Sequence, residues 1–226
     1  NQEVKASEKK TTPRAGAPAL ERRTSFNRKF LLPAFLNMLL SITYSGLLSF
    51  IALFGEFIHL EQVGLFFLFN AATVVIIRPI SGRIFDAKGP GAVLIPAALL
   101  VVASMVVLSF TQSLPMLIVS ALLYGLGFGA TQPTLQAWML RSSTPEQYGM
   151  ANSMFFNTTD FGVAIGAIIL GAIASATNYA VMYRYSAGVM GLFLIFYVVS
   201  HLLGNKRLST KNDPADRAEV KVSSTS

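Results

Sequence analysis

The sequence predicts an all-α, polytopic membrane protein with six transmembrane helices. Of its residues, 53% are hydrophobic and 13% are charged, and this charged share is about half of the quarter that is usual in soluble domains. Six apolar stretches are each long enough to cross a hydrocarbon core of about 30 Å as a helix, which takes about 20 residues. A soluble helical bundle would need polar faces on its outer helices, and the stretch 91–110 has none.

The predicted helices are separated by short breaks that contain glycine, proline or charged residues. We place the helices at 29–54, 62–80, 90–111, 115–140, 148–174 and 179–203. They form one predicted transmembrane domain over 26–204. The flanking segments 1–25 and 205–226 are polar and charged and lack hydrophobic periodicity, so we predict that both are disordered tails.

The basic residues predict how the chain is oriented in the membrane, because Lys and Arg accumulate on the cytoplasmic side of transmembrane segments. With six crossings, 17 of the 18 Lys and Arg residues fall on one side, and Arg184 falls on the other. We therefore expect both tails, the connection 78–89 and the connection around Arg141 to face the cytoplasm. The protein is then a multi-pass protein of the cell membrane.

Composition and spacing exclude several chemistries. The chain has no cysteine, which excludes disulfides, thiolate metal sites and cysteine nucleophiles. Neither His59 nor His201 has a carboxylate at metal-ligand spacing. The glycine-rich run 125–129 follows no predicted strand and has no downstream lysine, so it is not a phosphate-binding loop. We expect neither enzymatic activity nor a cofactor or metal site.

The composition of the N-terminal segment indicates what the chain binds. It lacks the apolar region of a signal peptide and opens with Asn1 rather than Met, so we expect the chain to be a piece of a longer protein. The basic segment 1–29 suits anionic lipid headgroups, and it lacks the interleaved aromatic residues of a nucleic-acid-binding segment. The predicted partners are therefore membrane lipids and not nucleic acid.

The stretch RPISGRIFDAKG, residues 78–89, concentrates charge and glycine in an otherwise apolar chain. We predict that it forms a hairpin between the second and third helices, in which Pro79 loosens the end of one helix and Asp86 caps a helix N-terminus. It is either an ordinary basic loop with a tight turn or a gating element. The candidate gating residues are Arg78, Gly82, Arg83, Asp86, Lys88 and Gly89.

The spacing Gly82-x-x-x-Asp86-x-x-Gly89 resembles the loop signature of the major facilitator superfamily. The form Arg-Pro-x-x-Gly-Arg-x-x-Asp is similar to the copy between helices 8 and 9 in bacterial drug–proton antiporters. The resemblance covers about residues 25–205. It implies that these are helices 7 to 12, the C-terminal half of a bacterial transporter whose other half is a partner. It also implies that Asp86 contacts helix ends across the interface. The family often has arginine where this chain has Ala87 and Pro90.

One acidic residue lies deep inside an apolar stretch. Asp160 is 14 residues beyond Glu146, or about 20 Å along a helix, and it shares a helical face with Asn157 and Ser153. Because burial in hydrocarbon favours the neutral carboxyl group, Asp160 is a candidate proton or coupling-ion carrier. The alternative is a structural acid that pairs with a neighbouring helix.

Polar and aromatic residues within the first, second, fourth and fifth helices are candidates for a substrate cavity. In the family that the chain resembles, the corresponding helices line the central cavity. The alternative is that these side chains hydrogen-bond between helices without touching a ligand. The candidate cavity residues are Asn37, Ser41, Tyr44, Phe69, Asn70, Gln132, Gln136 and Asn157.

The predicted function is that of a secondary active transporter of small organic molecules, working by proton-coupled efflux and alternating access. The alternatives are uptake of sugars or metabolites by the same fold, and a membrane scaffold or receptor that does not transport. A channel is disfavoured because Asp160 has no ring of similar residues around it.

Overall fold

The computed structural model describes residues 28–211, with side chains described over 29–203. Within this range a short 3-10 turn at Arg28–Phe30 precedes six α-helices. All six are long and apolar enough to cross a membrane, so the predicted all-α, six-helix membrane fold is confirmed. The helices are α1 Leu31–Phe57, α2 Leu65–Lys88, α3 Gly91–Ser109, α4 Leu114–Arg141, α5 Tyr148–Ala176 and α6 Tyr179–Lys211.

Helix α2 differs most from its predicted bounds. It ends at Lys88 rather than at residue 80, and it contains Pro79 in its interior. Gly89 ends the helix with a positive φ of 80°, a conformation that glycine adopts without steric cost. The predicted hairpin 78–89 is therefore mostly helix, and the turn to α3 is confined to Gly89 and Pro90.

The predicted tails lie largely outside the described residues. Segment 1–25 is entirely outside them. In segment 205–226, residues 205–211 continue α6 as helix, and the rest is outside. The boundaries of the tails and of the transmembrane domain therefore stay predictions.

The six helices form two layers. In the front layer, α2 packs against α4, α4 against α1, and α1 against α5. In the back layer, α3 packs against α4 and α6, and α6 packs against α1. The basic end is defined here as the end where α1, α3 and α5 begin and α2 and α4 finish. At this end Lys88 and Arg141 lie in the last turns of α2 and α4, where a positive charge favours the helix dipole.

Glycines of α4 allow helices of both layers to approach it closely. A Cβ atom added at Gly125 of α4 would meet Thr73 and Asn70 of α2. One added at Gly127 would lie 2.6 Å from the carbonyl oxygen of Ala97 on α3. Such contacts let helices pack backbone to backbone where the surrounding lipid offers no hydrophobic driving force. Helix α4 is therefore fixed from two sides at the centre of the domain.

Candidate functional site: the front layer of the membrane domain

An aromatic ladder crosses the middle of the front layer. The Tyr44 ring of α1 stacks on Phe128 of α4, with centroids 4.9 Å apart. Phe128 stacks on Tyr124 at 5.4 Å, and Tyr124 lies 6.3 Å from Phe66 of α2. Tyr124 is completely buried, whereas Tyr44 and Phe128 are only half-buried. The ladder thus links α1, α4 and α2 and leaves two of its rings partly accessible.

Two predicted cavity residues lie between α1 and α5 instead of beside the ladder. Asn37 is completely buried and its side-chain nitrogen lies 3.0 Å from the carbonyl oxygen of Phe155. Ser41 is also buried, and its Cβ would lie 2.6 Å from a Cβ added at Gly162. In this structure both residues make helix–helix contacts.

The other predicted cavity residues are spread over three helices. Phe69 and Asn70 are half-buried on α2, and Gln132 is half-buried on α4. Gln136 donates a hydrogen bond of 3.2 Å to the Asn152 side chain of α5. Asn157 is exposed on α5. The structure thus brings Tyr44 and Gln136 into contacts between helices and leaves Asn157 open.

Tyr124, Phe128 and Asn152 also belong to this region and were not predicted from the sequence. A signal for the first two was present, because Tyr124, Phe128, Gln132 and Gln136 recur every four residues on one helix. Residues four apart share a helical face, so the two predicted glutamines already pointed to the aromatic pair. No comparable spacing singles out Asn152.

Asp160 lies close to the middle of α5. Its side chain is exposed, as are those of Asn157 and Ser153 on the same face. The face of α5 that packs on α1 instead carries Phe155 and Gly162, which are buried. Within residues 29–203, no hydrogen bond or ion pair holds the Asp160 carboxylate. This carboxylate therefore points away from the core of the six-helix domain.

Five of the six candidate gating residues lie on the exposed surface of the last three turns of α2, and Gly89 follows the end of the helix. Arg78, Arg83, Asp86 and Lys88 are exposed, and a Cβ added at Gly82 would meet nothing within 4 Å. The predicted role of Asp86 as a helix N-cap is wrong, because this residue lies near the C-terminal end of α2.

The end of α2 is anchored next to the gating residues. Phe85 is buried, and the Arg141 guanidinium of α4 lies 5.5 Å from its ring centroid. This is a cation–π distance. The contact turns Phe85 toward α4 and leaves the neighbouring Asp86 on the outside.

The end opposite the basic end carries a small depression and a second cation–π contact. The depression is lined by residues that include Glu56, His59 and Glu61. Arg184 of α6 lies 4.6 Å from the centroid of the Phe110 ring of α3. In the part of the chain that the structure describes, no three His, Asp or Glu side chains form a group that could hold a metal ion.

These features define a class of protein. The domain has six helices that are long and apolar enough to cross a membrane. It also has an aromatic ladder that links three of these helices, and an unpaired acid near the middle of a fourth. Polytopic membrane transport domains combine such features. The comparison with protein families agrees with this class. The family model of the Major Facilitator Superfamily matches residues 2–159 and again residues 34–225. The chain belongs to the Major Facilitator Superfamily.

Curated relatives are transporters of the same superfamily. The chain is 28% identical over 144 residues to an uncharacterised MFS-type transporter, YwoD, of Bacillus subtilis, covering 61% of this chain and 31% of that protein. It is 26% identical over 142 residues to the multidrug resistance protein MdtG of Klebsiella pneumoniae, covering 63% of this chain and 34% of that protein. The chain therefore spans about a third of the length of these two relatives.

Solved structures share the fold. A crystal structure of the peptide transporter POT in complex with sulfate has a TM-score of 0.67 at 18% identity, covering 79% of this chain and 38% of that chain. A complex of a POT variant with alafosfalin has the same TM-score and covers 76% of this chain and 38% of that chain. The resemblance drawn from the signature at Gly82, Asp86 and Gly89 is thus confirmed for the superfamily, and the protein is a multi-pass membrane protein of a transporter family.

Proposed function

We propose that this chain is the C-terminal six-helix half of a secondary active transporter that exports small organic molecules in exchange for protons. It works by alternating access, rocking against an N-terminal six-helix half. The observation that carries the proposal is the Asp160 carboxylate, which is exposed near the middle of an apolar helix and faces away from its own domain.

Asp160 is suited to carry a proton because of its depth. An ionised acid at the centre of a membrane helix costs about 2.5–3.5 kcal/mol on insertion scales. That cost is avoided when the acid is neutral or faces water. A carboxylate that alternates between a wet and a closed environment therefore takes up a proton in one state and releases it in the other.

The exposed faces of α5 and α2 support a second half as partner. The face with Asp160 also carries the small or polar residues Ser153, Asn157 and Ala164, all exposed. Hydrocarbon is a poor solvent for this face, whereas protein or a water-filled cavity suits it. On α2 the exposed residues at the basic end include Gly82 and Asp86. Both faces are thus free to meet another domain, and lipid would cover the remaining apolar surface.

Export of organic molecules is supported by the site and by one relative. The half-buried rings of Tyr44 and Phe128, with Gln132 one turn beyond Phe128 on α4, offer apolar contact with few directional groups, which suits partly apolar ligands. The Klebsiella relative is named a multidrug resistance protein, which agrees with export. The cluster of Lys and Arg supports a cytoplasmic location of the basic end, and the bacterial relatives support the plasma membrane of a bacterium.

The test uses the full-length transporter in everted membrane vesicles that hold a pH gradient. A panel of antibiotics, dyes and sugars is added, and dissipation of the gradient is followed by fluorescence. We expect dissipation by one or more drugs or dyes and not by sugars. We expect Asp160→Asn to abolish it and Glu56→Gln, which removes an exposed acid at the opposite end, to leave it intact.

Two results would count against the proposal. If sugars alone dissipate the gradient, the substrate class is wrong. If Asp160→Asn transports a responding drug with the wild-type pH dependence, Asp160 does not carry the proton.

A further inference from the structure

A buried asparagine bridges α1 to the turn of α5 that precedes Asp160. The Asn37 side chain is 0% exposed. Its amide nitrogen lies 2.8 Å from the Thr159 hydroxyl, 3.1 Å from the Thr158 hydroxyl and 3.0 Å from the Phe155 carbonyl oxygen. An amide group has two hydrogens to donate, so these three acceptors share them within one turn of helix.

The hydroxyl groups of this turn are oriented toward their own helix. Thr159 donates to the Phe155 carbonyl oxygen at 3.0 Å, and Thr158 lies 2.9 Å from the carbonyl oxygens of both Phe155 and Met154. Because the hydroxyl hydrogens point at these carbonyls, the oxygen lone pairs are left to accept from Asn37. A threonine hydroxyl that donates to a carbonyl oxygen of the preceding turn competes with the backbone N–H groups for that oxygen, and such bonding often bends a helix.

The packing of α1 on α5 does not itself require an amide at this position. Gly162 and Gly166 already bring the two backbones together, since added Cβ atoms would lie 2.7 Å from the Met38 carbonyl oxygen and 2.8 Å from the Ile42 Cα atom. The Asn37 amide oxygen is buried and has no hydrogen-bond partner among the described residues. An unpaired buried amide oxygen carries a desolvation cost, which leucine at this position would not have.

We propose that Asn37 is a positioning residue for Asp160. Asn37 contacts the α1-facing side of the turn 155–159, whereas Asp160 follows that turn on the exposed side. By holding the turn, the amide sets the rotation of α5 and thereby the direction in which the carboxylate points. This inference rests on the proposed function, in which Asp160 carries the proton.

Among the described residues, no hydrogen bond or ion pair joins Asp160 to a titratable or charged side chain of the elements packed against α5. These side chains are Tyr44 and Glu56 of α1, Tyr124 and Arg141 of α4, Glu146 of the turn before α5, and Tyr179, Tyr183, Arg184, Tyr185, Tyr197 and His201 of α6.

The test compares Asn37→Leu with Thr43→Val in the full-length transporter in liposomes. Thr43 is also completely buried on α1, but its hydroxyl bonds to the Leu40 carbonyl oxygen of the same helix. Thr43→Val therefore removes a buried hydrogen bond without touching α5. A second variant, Thr158→Val combined with Thr159→Val, removes the acceptors from the α5 side and covers the case in which Asn37→Leu does not fold.

Two measurements need no substrate. The first is the rate at which a maleimide labels Asn157→Cys, the neighbour of Asp160 on the exposed face. The 226 residues contain no cysteine, so the label is specific once any cysteine of the N-terminal half has been replaced by serine. The second is the pH midpoint of the infrared carbonyl band that Asp160→Asn removes. We expect a severalfold change in labelling rate and a shifted midpoint in Asn37→Leu and in the threonine variant, with neither change in Thr43→Val.

The outcomes distinguish a failure of the role inferred for Asn37 from a failure of the proton-carrying role proposed for Asp160. If labelling rate and midpoint keep their wild-type values in Asn37→Leu while the melting temperature falls as in Thr43→Val, Asn37 only packs and the inference is overturned. If Asp160 shows no titrating band but labelling still changes, the proton role fails and the orienting role of Asn37 stands.

Discussion

At the scale of single residues, the absence of a side chain matters as much as its chemistry. Gly162 lies where α5 crosses α1, and a Cβ added there would be 2.6 Å from Ser41 and 2.7 Å from the Met38 carbonyl oxygen. Backbone atoms cannot move aside as the end of a flexible side chain can. The α1–α5 contact therefore depends on this position having no side chain.

Gly162→Ala should destabilise the protein by about 1–3 kcal/mol, because it overpacks a contact that already lies at backbone distance. The matched control is Gly188→Ala on α6, where an added Cβ would meet nothing within 4 Å. We expect the melting temperature in detergent to fall for Gly162→Ala and to stay level or rise for Gly188→Ala. Equal melting temperatures for the two variants would contradict this account of the α1–α5 contact.

Candidate functional residues could be predicted from the sequence where a residue differed in polarity from its neighbours in the chain. Asp160 was singled out because it is an acid within an apolar stretch, and the structure places it exposed near the middle of α5. Asn37 was named as a candidate, but its contact with Thr159 joins residues more than a hundred positions apart. Such a pairing follows from which helices pack together, and the pattern within one helix does not contain that information.

At the scale of helices, length and hydropathy predicted the number of elements, and the predicted ends of α2 and α6 came eight residues too early. Pro79, Gly82 and the charges from Arg78 onward predicted that α2 ends near residue 80. The helix instead continues to Lys88. Packing explains the difference, because Ser81 and Phe85 are buried on the side of the helix that faces its neighbours. Tertiary contacts thus outweigh the local cost of proline and glycine in this segment.

Cysteine scanning of residues 78–88 tests this helical extension. Because the chain has no cysteine, each introduced thiol reports on its own position. We expect rapid maleimide labelling at positions 82 and 86, which are exposed, and slow labelling at 81 and 85, which are buried. A hairpin loop would instead give uniformly rapid labelling from 80 onward, and that result would show that α2 ends early.

At the scale of the whole molecule, the two layers explain why some helices are covered and others are not. Helices α1 and α4 lie at the centre of the front layer, and their buried residues include Leu36, Leu40 and Tyr124. Helices α2 and α5 flank them and leave broad faces exposed. The order of these layers was not predictable from composition, because α6 of the back layer has nearly the same hydropathy as the four front helices, although α3 is more apolar. Only the family resemblance, which implies that the first, second, fourth and fifth helices line one cavity, predicted which helices lie together.

The distribution of charge along the whole chain predicts its orientation. Glu146 lies between α4 and α5 at the basic end, and Gln62 lies between α1 and α2 at the opposite end; both are exposed. Since Lys and Arg favour the cytoplasmic side, a membrane-impermeant maleimide added to intact cells should label Gln62→Cys and not Glu146→Cys. Permeabilised cells, in which both positions should react, provide the control. Labelling of Glu146→Cys in sealed cells would reverse the orientation and place the Asp86 end of α2 outside the cytoplasm.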